Sequence, residues 1–359
     1  MMGRKSSVRP LVWMIIWVLL MSIALGFSGQ ANASEGKESA AIGYYVRALL
    51  PENQIDPTVT YFDLRMKPSQ KQDIIVEVVN ETNEEITIDI AAISASTSRN
   101  GVIDYKTPDI KDETLAIAFS DIASLKKKQM SVPADSTAPV VATIAMPETP
   151  YDGVVLGGLV FTKQNEKADA SSEGMVLNNI YSYVIGVKLS ETDVPVLPDF
   201  ELAQVQADTV NYLPTIVHSI RNKNAAIAKN IAIDVAIYDQ KNQLVSEFQR
   251  EGMDMAPNSV MPLAVTPANA QGAENDGRLV PGEYTSKLTL VQDEKKWEFE
   301  QKFVIESAEA ERINDIAPIE PPAAANYTLL VIAAIVIFLL LALVIVLIVW
   351  MKSQKKKQS

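Results

Sequence analysis

Apolar and polar residues alternate along most of the chain with the period of two that is typical of half-buried β-strands. The alternation is clearest in the stretches 74–78 and 86–90, and it returns in 231–237 and 297–305. Turn-forming sequences separate these runs: Arg99-Asn100-Gly101, Tyr151-Asp152-Gly153 and Pro281-Gly282-Glu283. Away from the ends, no stretch of similar length has the 3.6-residue period of a helix. The pattern predicts an all-β fold of immunoglobulin-like β-sandwiches.

The two halves of this alternating region resemble each other. The matching stretches are 78–91 with 219–236, and 133–139 with 257–262. One sandwich topology used twice would explain the likeness, although any two alternating stretches look partly alike. We favour duplication because the spacing is close to the length of one sandwich. The sequence thus predicts two tandem sandwich domains, the first over residues 42–192 and the second over residues 196–306.

The N-terminus has the three parts of a secretory signal peptide. A positive leader precedes an apolar run over 11–25, and a small-x-small cleavage site follows. The leader contains Arg4, Lys5 and Arg9, and the cleavage site is Ala31-Asn32-Ala33. We predict a signal peptide over residues 1–33 that is cleaved after Ala33. A retained membrane anchor is the alternative.

A second membrane signal lies near the C-terminus, where residues 329–351 contain no polar side chain apart from the ring N–H of Trp350. A helix of this length is about 35 Å long, enough to cross a hydrocarbon core of about 30 Å. Tyr327 and Trp350 lie at its ends, as interfacial aromatic residues do. We predict a transmembrane helix over residues 327–351. The lysines in residues 352–359 predict a basic cytoplasmic tail, because positive residues stay inside.

This orientation predicts a single-pass protein of the cell membrane whose large N-terminal part is extracellular. The segment between the second sandwich and the span, residues 307–326, contains Pro318, Pro321 and Pro322. Proline favours extended chain, so we predict a stalk of proline and alanine that lifts the sandwiches off the membrane.

The charge of the chain excludes one class of partner. The net charge is −12, with 44 acidic against 32 basic residues. The two ends hold basic residues and no acidic ones, so the predicted extracellular part is more acidic still. Phosphates would be repelled by such a surface, which argues against nucleic acid.

No enzyme or metal signature stands above background. The chain has no cysteine and a single histidine, His218, which excludes thiolate and multi-histidine metal sites. The nucleophile elbow, the phosphate loop and the calcium loop are all missing from the sequence. Ser124 and Lys127 have the spacing Ser-x-x-Lys but lie in a cation-rich polar run. We predict a protein without catalytic residues, metal ligands or cofactor, although a single Ca²⁺ between the domains stays open.

Binding is the function that remains. Sugar polymers are held by aromatic faces together with amide and carboxylate hydrogen bonds. The first domain begins with such a set, and its candidate contacts are Tyr45, Asn53, Gln54, Tyr61 and Asp63. Core or edge packing is the alternative role for these rings. Exposed methionines make adaptable partner surfaces, whereas buried ones fill gaps. The partner-binding candidates of the second domain are Met253, Met255 and Asn258.

Several short motifs occur in a characteristic order. They are Leu50-Pro51-Glu52-Asn53-Gln54, Tyr61-Phe62-Asp63-Leu64, Val79-Asn80, Asn100-Gly101, Tyr183-Val184-Ile185-Gly186-Val187, Asn222 and Met255-Ala256-Pro257-Asn258-Ser259. Together with the two ends, they resemble the WxL-interacting protein family of Gram-positive bacteria. An exported region without cysteine also suits such a bacterium, because secreted eukaryotic domains of this kind usually carry disulfides.

The resemblance implies functions that composition and periodicity do not. It implies a first domain that binds peptidoglycan, a second that binds host matrix components, and WxL-domain surface proteins as partners. We therefore hypothesise a membrane-anchored scaffold that is not an enzyme. One alternative is an adhesin that acts mainly on host extracellular-matrix proteins. The other is a cryptic cell-wall hydrolase that uses His218.

Overall fold

The alternating runs form β-strands in the computed structural model of the protein, which describes residues 43–105, 111–164, 181–267 and 277–316, together with six residues between 340 and 351. The first domain has these elements in chain order: β1 (Tyr44–Leu49), β2 (Phe62–Arg65), β3 (Lys71–Asn80), β4 (Ile86–Ser94), β5 (Ser96–Thr97), β6 (Ile103–Asp104), α1 (Phe119–Ile122), β7 (Ala123–Leu125), β8 (Gln129–Val132), β9 (Ser136–Ala145), β10 (Val155–Lys163) and β11 (Ser182–Ser190). The prediction of a mostly β fold is confirmed.

The first domain is a sandwich of two sheets. One sheet has the strand order β1-β3-β9-β7, and the facing sheet has the order β2-β11-β10-β4-β8. Neighbouring strands are antiparallel, except that β2 runs parallel to β11. Alternate residues of the strands point inward and form the core, for example Val76, Ile88 and Leu159, all of which are fully buried. Strands β5 and β6 form a separate two-stranded ribbon.

The second domain is a smaller sandwich. Its elements are β12 (Phe200–Val210), β13 (Leu213–Asn222), β14 (Ala228–Asp239), β15 (Leu244–Met255), β16 (Ser259–Val265), β17 (Gly282–Gln292), β18 (Lys295–Ile305) and α2 (Ser307–Ile316). One sheet has the order β12-β13-β16 and the other the order β15-β14-β17-β18. Its core contains Ile220, Ile231 and Val235, which are fully buried.

The two sandwiches share one strand arrangement. The order β1-β3-β9 of the first domain matches β12-β13-β16 of the second, and β11-β10-β4-β8 matches β18-β17-β14-β15. The strands also occur in the same sequence along the chain. This agreement supports the duplication that the repeated sequence pattern predicts.

Side chains and backbone groups of the first domain contact the second directly. The Thr97 hydroxyl lies 2.6 Å from the Ser259 hydroxyl and accepts a hydrogen bond from the Ala256 amide at 3.0 Å. The Asp254 amide donates to the Gly101 carbonyl at 2.7 Å. Gly101 is itself pressed against the second domain, since a Cβ atom there would lie 2.5 Å from the Cβ of Met253. These contacts join the two domains directly.

An ion-pair cluster adds to this junction. The Arg221 guanidinium on β13 lies 3.0 Å from Asp112 and 3.0 Å from Glu113 of the first domain, and it also pairs with Glu201 on β12. The Asp112 side chain is only 8% exposed. Burial alone would raise its pKa, but hydrogen bonds from Thr114 and Arg221 outweigh that effect, and the Asp112 pKa is lowered.

The predicted stalk requires a correction at its start. Residues 307–316 are not extended chain but form helix α2, whose Ala310 and Ile313 are buried against the core of the second domain. The amphipathic pattern of this helix is short and rich in alanine and glutamate, so the sequence pattern does not separate it from a linker. The remaining stalk, 317–326, lies outside the described residues.

The predicted end segments are mostly outside the described part of the chain. The signal peptide over 1–33 and the basic tail over 352–359 lie wholly outside it. Of the predicted span over 327–351, six residues are described. They are Leu340, Val344, Leu347, Ile348, Trp350 and Met351, all helical and exposed. Within the described residues, no helix has the length and apolarity needed to cross a membrane.

Candidate functional site

Two glycines face each other on neighbouring strands of the first domain. Gly158 on β10 pairs directly with Gly186 on β11. Both lie on the outer face of their sheet, because the flanking residues Leu159 and Val187 point into the core. Two glycines in register leave a patch of the sheet without side chains, so that a planar group can approach the backbone.

The ring of Tyr105 occupies part of this patch. A Cβ atom added to Gly158 would lie 2.9 Å from the Tyr105 ring and 2.9 Å from Val184, so a larger residue would force these side chains to shift. At Gly186, an added Cβ would lie 3.7 Å from both the Tyr105 hydroxyl and Tyr61. The two glycines therefore form a floor on which Tyr105 rests with Tyr61 at its side.

A groove of about 460 Å³ opens at this place, and we call it the tyrosine groove. Tyr61 is 39% exposed and Tyr105 is half-buried. Burial and the neighbouring Tyr61 raise the pKa of the Tyr105 phenol, so it stays protonated at neutral pH. The groove also touches the second domain through Ile227, Lys229 and Asp254. It thus offers two aromatic rings beside groups of both charge signs.

A buried carboxylate positions one of these charges. The Lys188 ammonium, which borders the groove, lies 3.1 Å from Oδ2 of Asp63. Asp63 is 5% exposed, and its other oxygen, Oδ1, has no hydrogen-bond partner among the described residues. Asp63 therefore holds the Lys188 ammonium in place at the groove. Its own carboxylate is buried and does not face a ligand.

Asn53 and Gln54 hold the loop that carries Tyr61. The Gln54 amide donates to the Tyr61 carbonyl at 3.0 Å, and its oxygen accepts from the Asp63 amide at 3.2 Å. Asn53 exchanges two hydrogen bonds with Gln72, at 3.0 and 2.8 Å, and donates to the Arg65 carbonyl. The amide groups of both side chains are thus used inside the protein. Both residues also border a separate open pocket beside residues 65–70.

Tyr45 lies apart from the other candidates of the first domain. It is on β1, the edge strand of the opposite sheet, and is 38% exposed. The structure therefore brings together Tyr61, Asp63 and the loop residues Asn53 and Gln54, but it does not bring Tyr45 to them.

The three candidates of the second domain are not on an open surface. Met253 and Met255 are 1% and 0% exposed and belong to the core, where they fill space between the sheets. Asn258 is half-buried in a turn with φ of +46°, and its amide donates to the Lys223 carbonyl at 2.7 Å. In this conformation, a partner reaches neither methionine side chain, and the Asn258 amide is engaged within its own domain.

His218 lies in the middle of the second core. It is 0% exposed, and its Nε2 lies 2.8 Å from the Ser286 hydroxyl. Its Nδ1 has no partner among the described residues, so no carboxylate orients the ring. Burial is the main reason that its pKa is lowered to about 4. A polymer substrate has no access to this serine and histidine.

The Ser124 hydroxyl donates to the Thr143 carbonyl on β9 at 3.3 Å, while Lys127 is exposed in the following turn. No group of three or more potential metal ligands occurs among the described residues.

Sequence reasoning missed the partners of Tyr61. Tyr105, Gly158 and Gly186 are far apart in the chain. The register of β10 with β11 brings the two glycines together, and the chain directly after β6 places Tyr105 over them. The Gly157-Gly158 pair inside a strand-like run was the one available signal, because glycine within a strand often marks a close approach.

The described strands have distant structural likenesses. The crystal structure of the Pseudomonas aeruginosa CupB2 chaperone matches with 9% identity and a TM-score of 0.27, covering 66% of this chain and 95% of that one. The E. coli chaperone DraB matches with 9% identity and a TM-score of 0.28, covering 73% and 98%. No curated protein matches the chain in sequence.

Two family models match nearly all of the described region. Residues 44–163 match the peptidoglycan binding domain of WxL Interacting Protein, and residues 172–315 match its host binding domain. The second match begins before β11, although β11 completes the sandwich of the first domain. It also includes most of α2, which packs on the second core. With both models matched in order, the chain belongs to the WxL-interacting protein family.

Proposed function

We propose that this protein is a membrane-anchored scaffold of the cell surface and that its first domain binds peptidoglycan through the tyrosine groove. The observation that carries the proposal is the pair of tyrosines, Tyr61 and Tyr105, over the glycine floor of Gly158 and Gly186. Both tyrosines and Gly158 lie in the stretch that matches the peptidoglycan-binding family model. Gly186 and Lys188 belong to the same sandwich but lie in the stretch that matches the host-binding model.

The groove has the chemistry that glycan chains need. Sugars place their C–H faces on aromatic rings and use hydroxyl groups for hydrogen bonds to charged and amide side chains. Tyr61 and Tyr105 supply the rings, and Lys188, Lys229 and Asp254 supply hydrogen-bonding groups. Because the chain as a whole is acidic, it is repelled by anionic wall polymers, and binding therefore depends on these short-range contacts.

Sedimentation with insoluble peptidoglycan tests the proposal. We expect the purified full-length protein to sediment with the polymer, and Tyr61→Ala and Tyr105→Ala each to lower the bound fraction several-fold. Tyr181→Ala is the matched control, since Tyr181 lies in the same domain and is 43% exposed but does not line the groove.

Equal sedimentation of the wild type and both groove variants would contradict the proposed site. A loss confined to Tyr45→Ala would instead place the site on the edge strand β1. Sedimentation no better than that of an unrelated acidic β-sandwich protein would contradict peptidoglycan binding altogether.

The second domain is proposed to bind protein partners, namely WxL-domain surface proteins or host extracellular-matrix proteins. Its match to the host-binding family model supports this role. Co-purification from native membranes tests the first partner, and plate binding to fibronectin and collagen tests the second. Matrix binding without any WxL-domain partner would favour the alternative of an adhesin.

The proposed anchoring rests on the two apolar ends of the sequence. We expect protease added to intact protoplasts to digest the sandwich domains and to leave a C-terminal fragment of the span and tail. Full protection of the polypeptide would contradict an extracellular location. The role is proposed as non-catalytic, and peptidoglycan turnover that disappears in His218→Ala would restore the hydrolase alternative.

A further inference from the structure

The two domains differ at one sheet edge, although they share one strand order. In the first domain, β9 has β3 on one side and β7 on the other, with Ser124 of β7 opposite Thr143 of β9. In the second domain, β16 is the counterpart of β9. Among the described residues, β16 pairs with β13 alone. The place that β7 occupies in the first domain has no strand in the second.

The register of the two sheets fixes this correspondence. Pro139 of β9 lies opposite Glu77, three residues before Asn80, and Pro262 of β16 lies opposite Ser219, three residues before Asn222. The two prolines therefore hold equivalent positions. Strand β7 pairs with residues 142–144 of β9, which correspond to 265–267, so it covers the same side of the sheet directly after the counterpart of Ala264.

A change in strand pairing explains the difference. In the first domain, the chain first forms β7 beside β9 and then crosses to form β8 beside β4. In the second domain, the single strand β15 pairs with β14 from Ala228 to Tyr238 and stays in that sheet. No further strand of the described chain pairs with β16, although β5 of the first domain contacts it at Ser259.

A cavity of about 830 Å³ lies beside this edge, and we call it the junction cavity. Its β16 wall is formed by Val260, Pro262 and Ala264, and Phe248 of β15 and Leu213 of β13 add apolar surface. The β5–β6 ribbon of the first domain forms the opposite wall. The cavity is thus a slot between the domains, with a sheet edge along one side.

The edge has one residue able to pair fully with an added strand. Alternate residues of an edge strand direct their N–H and C=O groups outward. Pro262 has no N–H to donate to β13, so it takes an outward position, and Val260 and Ala264, two residues away on either side, are outward as well. The proline stops an added strand, and Val260 adjoins Ser259, which Thr97 of β5 contacts. Ala264 therefore remains as the residue that offers both groups.

Charges at the cavity favour an acidic segment. Arg99 and Arg250 border it, are exposed, and form no ion pair among the described residues. The other charged groups nearby are engaged: Asp112 pairs with Arg221, Lys111 pairs with Asp121, and the Asp104 carboxylate accepts the Tyr105 amide. The unpaired charge at the rim is therefore positive, in contrast to the acidic chain as a whole.

We propose that an extended segment of a partner protein adds as a strand to the edge of β16 at Ala264, with apolar side chains in the junction cavity and an acidic residue beside Arg99 and Arg250. Strand β7 shows within this chain what fits such an edge: a short strand in which Ala123 is buried and Leu125 packs on the core. This inference rests on the proposed role of the second domain and names the surface for it.

The test uses the full-length protein in detergent and a fluorescent synthetic peptide. The peptide copies residues 117–125, Ile-Ala-Phe-Ser-Asp-Ile-Ala-Ser-Leu, and ends in two glutamates. We expect saturable binding by fluorescence anisotropy. A control peptide with proline in place of the serine before leucine lacks a strand N–H, and we expect at least tenfold weaker binding.

Two protein variants locate the site. Ala264→Pro removes the outward N–H in the same way as the natural Pro262, and we expect a folded protein with at least tenfold weaker peptide binding. Arg250→Glu should weaken binding several-fold and in a salt-dependent manner. Lys302→Glu is the matched control, because it makes the same charge change at an exposed position of β18 outside the cavity.

Failure to bind the wild type, or equal binding by wild type, Ala264→Pro and Arg250→Glu, would overturn the proposal. If Ala264→Pro fails to fold, Arg250→Glu and the proline peptide decide the outcome. A dimer of the wild type that becomes a monomer in Ala264→Pro would identify a second copy as the occupant and would also overturn the proposal.

A WxL-domain protein that binds wild type and Ala264→Pro equally would refute this edge and leave the proposed function intact. A WxL-domain protein that binds neither would count against that part of the proposed function itself.

Discussion

Asn80 and Asn222 hold the same position in the two domains and make the same hydrogen bonds. Asn80 is the last residue of β3 and Asn222 the last residue of β13, and each is at most 1% exposed. Each donates a hydrogen bond at 2.7 Å to the carbonyl four residues ahead, that of Glu84 or of Ala226. Each also donates to a carbonyl of the turn before β9 or β16, at 2.9 Å to Pro133 and 3.0 Å to Ala256. The asparagine therefore ties three chain segments together at one end of each sandwich.

The turn beside each asparagine is also repeated. Asp135 and Asn258 have φ of +47° and +46°, and the serine that follows each donates to the same carbonyl that the asparagine contacts. Short polar residues tolerate this left-handed conformation better than others. The likeness between the two domains therefore extends to individual hydrogen bonds.

Removing either asparagine should destabilise its domain. We expect Asn80→Ala and Asn222→Ala each to lower the free energy of unfolding by about 2–4 kcal/mol, because two or more buried carbonyls lose their donor. Urea unfolding followed by circular dichroism measures the change. Gln249→Ala, on the exposed face of β15, should stay within about 0.5 kcal/mol of the wild type. A loss no larger than that of this control would contradict the role of the asparagines.

His218 should make the protein less stable in mild acid. Burial lowers its folded-state pKa to about 4, whereas in the unfolded chain it lies near 6.5. As the pH falls below about 6.5, the unfolded chain takes up the proton first, so stability is lost through this window down to about pH 4. Linkage gives a loss of about 2 kcal/mol between pH 7.5 and pH 5.0.

The measurement is urea unfolding at both pH values for the wild type and for His218→Gln. Glutamine keeps a group that can bond the Ser286 hydroxyl but does not titrate. We expect the loss of unfolding free energy between pH 7.5 and pH 5.0 to be smaller in the variant by about 2 kcal/mol. The same dependence in both proteins would mean that other groups cause it.

Arg221 should contribute more to stability than an ordinary surface ion pair. Arg221→Ala leaves the buried Asp112 carboxylate without its guanidinium partner, and we expect a loss of about 2–4 kcal/mol. Lys223→Ala breaks the exposed pair with Asp199, which should cost at most about 1 kcal/mol. Thermal unfolding measures the melting temperature of each variant. Equal decreases in melting temperature would contradict the importance of the Arg221 ion-pair cluster.

The glycine floor gives a prediction with an internal control. Gly158→Ala places a Cβ atom 2.9 Å from the Tyr105 ring, so the ring must move, and we expect weaker sedimentation with peptidoglycan. Gly186→Ala places its Cβ at ordinary contact distance, 3.7 Å, and should change both stability and sedimentation less. A Gly186→Ala effect as large as that of Gly158→Ala would show that the ring position is not what matters.

Part of the candidate site was accessible to sequence reasoning. The sequence suggests Tyr61 for its aromatic ring beside polar residues, and Tyr61 borders the groove. It suggests Asn53, Gln54 and Asp63 for their hydrogen-bonding capacity, and the structure uses that capacity to hold the Tyr61 loop and Lys188. A residue type shows which bonds a side chain can make, but the fold decides whether the partner is a ligand or the protein itself.

The methionines of the second domain also show that residue type alone does not predict whether a side chain is exposed. Met253 and Met255 lie at alternate positions of β15, and both point into the core. Their exposure depends on which face of β15 turns toward β16. That choice is made by the pairing of β15 with β14, which sequence composition does not reveal.

Local sequence patterns predict the elements of this protein: a period of two indicates strands, polar turns separate them, and a repeated pattern around Asn80 and Asn222 marks two similar domains. These are local properties, because each depends on neighbours within a few residues. Three features come from the tertiary structure alone: the placement of Tyr105 on Gly158 and Gly186, the contact of Thr97 with Ser259, and a β16 strand that pairs only with β13 in the described part of the chain. Those features depend on sheet order and register, which are set by the packing of residues far apart in the chain.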